Sequence, residues 1–193
     1  MKIISTISFY MLLILLVYNL NIEVKAQTVY AQNMVPQPTL PIGFVSFDQW
    51  APGAMTAIPN TLSEGYLVGG SWANGIWYGI DYQSSATCNL YSIDPVTGNS
   101  SLIGNTGVIN GTGLTYDITS NTMYMIDAQP SEYISNLYTV DLTSGATTLI
   151  GNTNQYFILS LACNSDGELY GFSIYYDKFF KINKQTAECT FIG

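Results

Sequence analysis

Histidine and arginine are absent from all 193 residues, and charged side chains of any kind make up only 9% of them. Without histidine there is no base for a Ser/His/Asp or Cys/His nucleophile, and zinc loses its commonest ligand. Cys88, Cys163 and Cys189 show no CxxC spacing, so no metal site is expected. Without arginine no planar fork is available to clamp phosphate, and the net charge of −8 repels a phosphate backbone, so nucleic acid is excluded as a partner. No cofactor motif is present and none is expected.

What charge there is lies unevenly. Lys2 precedes an apolar stretch over 7–17, and Val24-Lys25-Ala26 puts small residues where a signal peptidase reads, so residues 1–26 read as a secretory signal peptide. The alternative is an uncleaved anchor, since 3–20 is nearly long enough to span a bilayer, but Ser5, Thr6, Ser8 and Asn19 weaken it. Cleavage implies a secreted or cell-surface protein, with no membrane span remaining. It leaves three lysines, Lys178, Lys181 and Lys184, against twelve acidic residues (thirteen less Glu23), a net charge of −9. The three lysines read as a solvated strand edge.

An odd number of cysteines leaves no complete disulfide framework in one chain. In the repeat register given below, Cys163 and Cys189 fall on opposite edges of one sheet, roughly 14 Å apart, beyond disulfide reach.

The residues that are plentiful repeat. Tyr78, Tyr124 and Tyr170 stand at a constant 46-residue interval, each within a short apolar run (Ile76-Trp77-Tyr78-Gly79-Ile80-Asp81, Met123-Tyr124-Met125-Ile126-Asp127 and, more loosely, Leu169-Tyr170-Gly171-Phe172). A second signature is sharper. Asn89-Leu90-Tyr91-Ser92-Ile93-Asp94, Thr97-Gly98 and Leu102-Ile103-Gly104-Asn105-Thr106 return as Asn136-Leu137-Tyr138-Thr139-Val140-Asp141, Ser144-Gly145 and Leu149-Ile150-Gly151-Asn152-Thr153. They return again, decayed, as Phe179-Phe180-Lys181-Ile182-Asn183 and Phe191-Ile192-Gly193.

Apolar residues in these segments follow no three-and-four spacing, and Gly, Thr, Ser, Asn and Tyr crowd them, so they are strands. The Asp-x-x-x-Gly corner supplies a carboxylate for the amides ahead of it and a left-handed glycine to close the hairpin. Ala187 stands where that glycine is expected; either the last turn takes another shape or it bears a cost on the order of 1 kcal/mol.

Four short antiparallel strands per 40 to 50 residues is the period of a propeller blade. The predicted fold is therefore all-β, a β-propeller of four-stranded antiparallel blades at 65–106, 112–153 and 157–193. A partial blade at 44–61 follows a lead-in over 27–43. Thr28-Val29-Tyr30 is a candidate second strand of that partial blade, although Pro36, Pro38 and Pro41 make the region a poor ladder. A solenoid or packed pair of sheets would also space strands evenly.

With its Tyr-x-Ile-Asp-x-x-Thr-Gly and Leu-Ile-Gly-Asn-Thr repeats, carried by 91–106 and 138–153, the chain resembles secreted bacterial β-propeller repeat proteins described as domains of unknown function. Some lie near quinoprotein-like or surface-adhesion propellers, and the Ala-Gln signal end is similar to those of exported Bacteroidota proteins. The resemblance implies a propeller and carries no catalytic residues. Propellers close with about four to eight blades, so three and a part imply either an incomplete ring in a longer protein or an incomplete fourth blade; the first is favoured.

Three residues are weak ligand-binding candidates. Asp81 and Asp127 end equivalent strands and, if they converge at a propeller mouth, would form a glycosidase-like carboxylate pair; the alternative is that they bond turn amides. Trp72, near a hairpin tip, offers an indole for stacking on a sugar, or else packs between blades. Asn164-Ser165-Asp166-Gly167-Glu168 has a faint calcium-loop spacing that an Asp-Gly hairpin explains equally. The resulting expectation is an exported binding, adhesion or interaction module without catalytic activity, for a glycan or protein ligand. The alternative is a secreted polysaccharide-active or quinoprotein-like enzyme.

Overall fold

The computed structural model describes residues 27–35, 40–59, 62, 66–82, 86–129 and 131–193. The signal segment 1–26 lies outside them, as do Pro36 and Pro38. Among the described residues there are fifteen strands and no helix, so none is long and apolar enough to cross a membrane.

The strands are β1 (Thr28–Asn33), β2 (Gly43–Asp48), β3 (Thr56–Ala57), β4 (Leu67–Ala73), β5 (Ile76–Asp81), β6 (Thr87–Ile93), β7 (Ser100–Ile109) and β8 (Gly111–Asp117). They continue as β9 (Thr122–Asp127), β10 (Asn136–Val140), β11 (Thr147–Asn152), β12 (Ile158–Cys163), β13 (Leu169–Ser173), β14 (Lys178–Ile182) and β15 (Cys189–Phe191). They pair only with their sequence neighbours, in a three-stranded meander β1-β2-β3 and three four-stranded ones, β4 to β7, β8 to β11 and β12 to β15. The first strands β4, β8 and β12 pack side by side. Successive four-stranded meanders whose first strands gather at one centre make a β-propeller.

The side-chain alternation of a strand gives each blade two buried faces. On β9, Met123 and Met125 enter one core with Tyr78, Ile80 and Leu90 of the preceding blade. Tyr124 and Ile126 enter another with Ile158, Leu169 and Ile182 of the following blade. Both faces being buried, the middle strands read as unbroken apolar runs. Phe44 and Ile58 of the first sheet close a third core with Leu67, Trp77 and Ile93.

The inner strands touch through small and hydroxylated residues. A side chain on Gly69 would sit 2.8 Å from the Leu114 nitrogen, and one on Gly113 would sit 2.9 Å from the Leu161 nitrogen. Ser71 Oγ accepts the Tyr116 amide at 3.0 Å, and Thr115 Oγ1 accepts that of Cys163 at 3.1 Å.

The repeat motifs are joints of this architecture. Asp94 Oδ1 accepts the amides of Val96 and Thr97, and Asp141 Oδ1 accepts the Thr143 hydroxyl and the amides of Thr143 and Ser144; these bonds lower both carboxyl pKa values. In the Leu-Ile-Gly-Asn-Thr motif, Gly104 lets the next blade's turn approach so closely that a Cβ would lie 1.9 Å from the Ser144 carbonyl oxygen. The threonine that follows bonds inward, Thr106 to the Cys88 carbonyl at 2.8 Å and Thr153 to that of Ser135 at 2.7 Å.

Three sequence expectations are refined and a fourth is met. Thr28–Asn33, within the expected lead-in, is a complete strand paired along its length with β2. Ala187 keeps the turn of its counterparts: its φ is 64°, its amide reaches the Asn183 carbonyl at 2.8 Å as Gly145 reaches Asp141, and its methyl is buried. Lys184 is no solvated edge residue, because its Nζ lies 2.5 Å from Oδ2 of fully buried Asp117 and joins the last two blades. Lys181 pairs with Glu168 at 2.6 Å. Cys163 and Cys189 are free thiols on the first and last strands of one sheet, as the register required.

Candidate functional site

Asp81, Asp127 and Ser173 end β5, β9 and β13, and pair with the first residues of β4, β8 and β12. Everything just before those first strands and just after those second strands therefore lies at one end of the molecule. This end carries Tyr66, Tyr82, Asn110, Ala128, Phe157 and the loops holding Tyr133, Tyr156, Tyr175 and Tyr176.

Between these segments lies a cavity of about 350 Å³, walled by Tyr66, Val68 and Tyr82 of one blade, Asn110, Gly111, Thr112 and Ala128 of the next, and Phe157 and Leu159 of the last. None of these residues is charged. Tyr66 and Tyr82 stack with ring centroids 5.6 Å apart and planes within 4°. Phe157 meets Tyr156 edge-on at 4.6 Å, and Tyr156 in turn contacts Tyr133 and Tyr175, each at 4.9 Å. Tyr175 leads to Tyr176 at 4.9 Å, with Lys178 Nζ 5.4 Å above the Tyr176 ring. The cavity thus opens onto a continuous aromatic surface, on which Tyr133 is 66% and Tyr175 60% exposed. Burial, with Tyr133 and Tyr175 close by, raises the Tyr156 pKa.

Two of these aromatics hold a left-handed backbone, Tyr133 at φ 57° and Phe157 at φ 54°. Such a conformation costs a bulky residue about 1 to 2 kcal/mol and tends to be kept where a loop must present a side chain.

The three residues singled out from sequence lie elsewhere. Asp81 and Asp127 are fully buried and line none of this cavity. Asp81 Oδ1 accepts the Asn89 amide at 2.6 Å, and its Oδ2 takes Asn89 Nδ2 at 3.1 Å and the Tyr91 hydroxyl at 3.3 Å. Asp127 repeats this with Asn136 N at 2.6 Å, Asn136 Nδ2 at 3.3 Å and the Tyr138 hydroxyl at 2.8 Å, and adds Gln129 Nε2 at 2.8 Å. Burial and then the adjacent carboxylate raise the pKa of Tyr91 and Tyr138. In the last blade Ser173 replaces the aspartate and Phe180 stands where the tyrosine would be. Carboxylate and phenol disappear together, as expected of a bonded pair that fixes β6 and β10 on β5 and β9.

A second cavity, of about 470 Å³, includes Gln129 and Tyr138 and so approaches Asp127 through its partners. Trp72 is at the far end of β4 from the aromatic surface, roughly 20 Å away along the strand. It pairs with Trp77, leans on Tyr30 at 5.4 Å and is 41% exposed. The segment from Asn164 to Glu168 is a hairpin turn in which Asn164 Oδ1 accepts the amides of Asp166 and Glu168. Glu168 is occupied by Lys181, Tyr170 and Asn164, which hold its carboxyl down at about 2.

Sequence reasoning missed the aromatic end because its residues fall outside the repeat consensus. A signal existed nonetheless: positions 82, 128 and 174, directly after the repeated strand end, hold Tyr, Ala and Ile, and aromatic pairs stand at 156–157 and 175–176.

No protein-family model and no curated protein matches the chain. Solved structures do. A chain of a nidogen/laminin complex superposes with a TM-score of 0.63 over 88% of this chain and 62% of its own length, at 10% identity. A gluconolactonase from Xanthomonas campestris gives 0.54 over 77% and 54%, at 10% identity. The periplasmic gluconolactonase of Pseudomonas aeruginosa gives 0.51 over 81% and 50%, at 13% identity. The chain spans between half and 62% of the length of these neighbours. At such identities the likeness shows the propeller fold alone.

Proposed function

We propose that this protein is an exported, noncatalytic binding or adhesion module whose aromatic end receives an uncharged ligand, with a neutral glycan as the favoured class. The observation that carries the reading is the 350 Å³ cavity, lined by stacked tyrosines, Phe157, an amide and a hydroxyl, with no charged side chain in its wall. Aromatic faces stack on the apolar side of a sugar ring, while Asn110, Thr112 and the phenols supply hydrogen bonds for its hydroxyls. A reaction would need a base or a free carboxylate there. The chain has no histidine, and Asp81 and Asp127 are buried in bonds to strand ends. Among its structural neighbours the fold serves a nidogen/laminin complex and two gluconolactonases, so architecture alone favours neither binding nor catalysis. Export rests on the sequence features of residues 1–26.

Calorimetric titration with a panel of neutral oligosaccharides, with product analysis on the same samples, tests this. Saturable binding without turnover, weakened at least about tenfold by Tyr82→Ala, is the expected outcome. Turnover of an oligosaccharide or polysaccharide that is abolished by Asp81→Asn or Asp127→Asn would instead establish the secreted-enzyme reading.

A further inference from the structure

We propose that the aromatic end takes glycans that carry an N-acetylamino sugar, with the acetamido group seated in the cavity. This rests on the neutral-glycan reading above and narrows it to one class of sugar.

The cavity is short of polar partners for an unsubstituted sugar. Val68, Ala128 and Leu159 offer it carbon, and Phe157 and the two stacked tyrosines offer ring faces. Thr112 gives less than its hydroxyl suggests. Its proton already goes to the Ile158 carbonyl at 2.8 Å and, at longer range, the Ile126 carbonyl at 3.3 Å, so the oxygen is left as an acceptor only. A hexose shows a hydroxyl on nearly every carbon, and each one taken from water without a partner weakens binding.

Asn110 supplies what the rest of the wall lacks. Its backbone is fixed, with φ at 56° and its carbonyl accepting the Ala128 amide at 2.9 Å. Its side-chain amide has no hydrogen-bond partner among the described residues. The asparagines of the repeat motif are committed by contrast: Asn89 and Asn136 donate to Asp81 and Asp127, and Asn105 donates to Thr87 and Asn89.

A free primary amide beside carbon walls is the complement of an acetamido group. The Asn110 side chain holds a donor and an acceptor in one plane, so its Nδ2 can donate to the acetamido carbonyl while its Oδ1 accepts the acetamido N–H. The methyl then leaves water against Phe157, Leu159 and Ala128, a gain that the hydroxyl it replaces cannot make. Tyr66 and Tyr82 remain for the apolar face of the sugar ring. That stacking surface selects a sugar over an acetylated side chain of a protein.

The test compares the methyl glycosides of N-acetylglucosamine and N-acetylgalactosamine with those of glucose and galactose, which carry a hydroxyl in place of the acetamido group. Amide chemical shifts of the purified protein follow each titration. At least one acetamido glycoside should saturate at a concentration about tenfold lower than its hydroxyl counterpart. Asn110→Gly removes the side-chain amide at a φ that glycine accepts, and should bring that ratio close to one. Tyr82→Ala should instead weaken acetamido and hydroxyl glycosides alike. Hydroxyl glycosides that bind as tightly as their acetamido counterparts would overturn the inference and leave the neutral-glycan reading standing, as would a preference that survives Asn110→Gly. Nε-acetyllysine binding as tightly as the best glycoside would also overturn it, by assigning the cavity to a modified protein. Binding of none of the four glycosides defeats the inference, and the reading beneath it falls only if the wider oligosaccharide panel fails too.

Discussion

At the scale of single residues, two buried carboxylates accept backbone amides at strand ends, the structural role that the sequence offered beside a carboxylate-pair reading. Asp127 accepts bonds from Asn136, Tyr138 and Gln129 while fully buried. Asp127→Ser should therefore cost about 2 to 3 kcal/mol in urea unfolding, the range for a lost charged hydrogen bond with a stranded donor. The double variant Asp127→Ser with Tyr138→Phe recreates the Ser173 and Phe180 pairing of the last blade, and should cost less than the two single changes summed. Strict additivity would contradict this account of the pair. Asp117 gives the second residue-scale prediction. Burial raises its pKa, but Lys184, Ser120 and Thr119 together outweigh burial and hold it well below the usual carboxylate range, while Lys184 is raised by the same contact. A depressed carboxylate contributes stability that is present above its unfolded pKa of about 3.9 and lost as pH falls toward the folded value. A raised lysine contributes stability present below about 10.4 and lost at higher pH. Lys184→Met should accordingly cost about 3 kcal/mol near neutrality, and the cost should shrink as pH falls below about 4. A cost near zero, or one that stays constant down to about pH 3, would contradict a stabilising Asp117–Lys184 ion pair.

At the scale of elements, the blades are joined at turns that leave no room for a side chain. Gly98→Ala drives a methyl into the Pro59 carbonyl and adds left-handed strain, and should destabilise by more than about 2 kcal/mol. Ala187→Gly, at the same corner of the last blade, should change stability by less than about 1 kcal/mol, since relief of strain offsets the loss of a buried methyl. Thermal or urea melts of both variants decide it, and equal losses would mean that the corners are not equivalent. These elements also mark how far the sequence could be read. The strands and their order were legible because the 46-residue interval carries two turn signatures, and their hydrogen bonds stay inside one unit. β1 was only partly legible, because Pro36, Pro38 and Pro41 masked a strand that ends at Asn33, before any of them. The rim contacts and the Asp117–Lys184 link were not legible, since each joins residues of different units and depends on how far one blade is turned against the next. Asp81 and Asp127 were legible as strand ends but not as buried ones.

At the scale of the whole molecule, function is argued from what the ends of the blades assemble. Tyr66, Tyr82, Tyr133, Tyr156, Phe157 and Tyr175 come from loops of three consecutive units and have no fixed spacing, so only the arrangement of blades makes them one surface. The account's central claim is that this surface binds and the buried carboxylates do not react. Amide chemical-shift mapping during titration with neutral oligosaccharides tests that claim most directly. Saturable shifts confined to Tyr66, Tyr82, Asn110 to Thr112, Ala128 and Phe157, with the sugar recovered unchanged, are the predicted result. Shifts centred on Asp127, Gln129 and Tyr138, accompanied by conversion of the sugar, would contradict it.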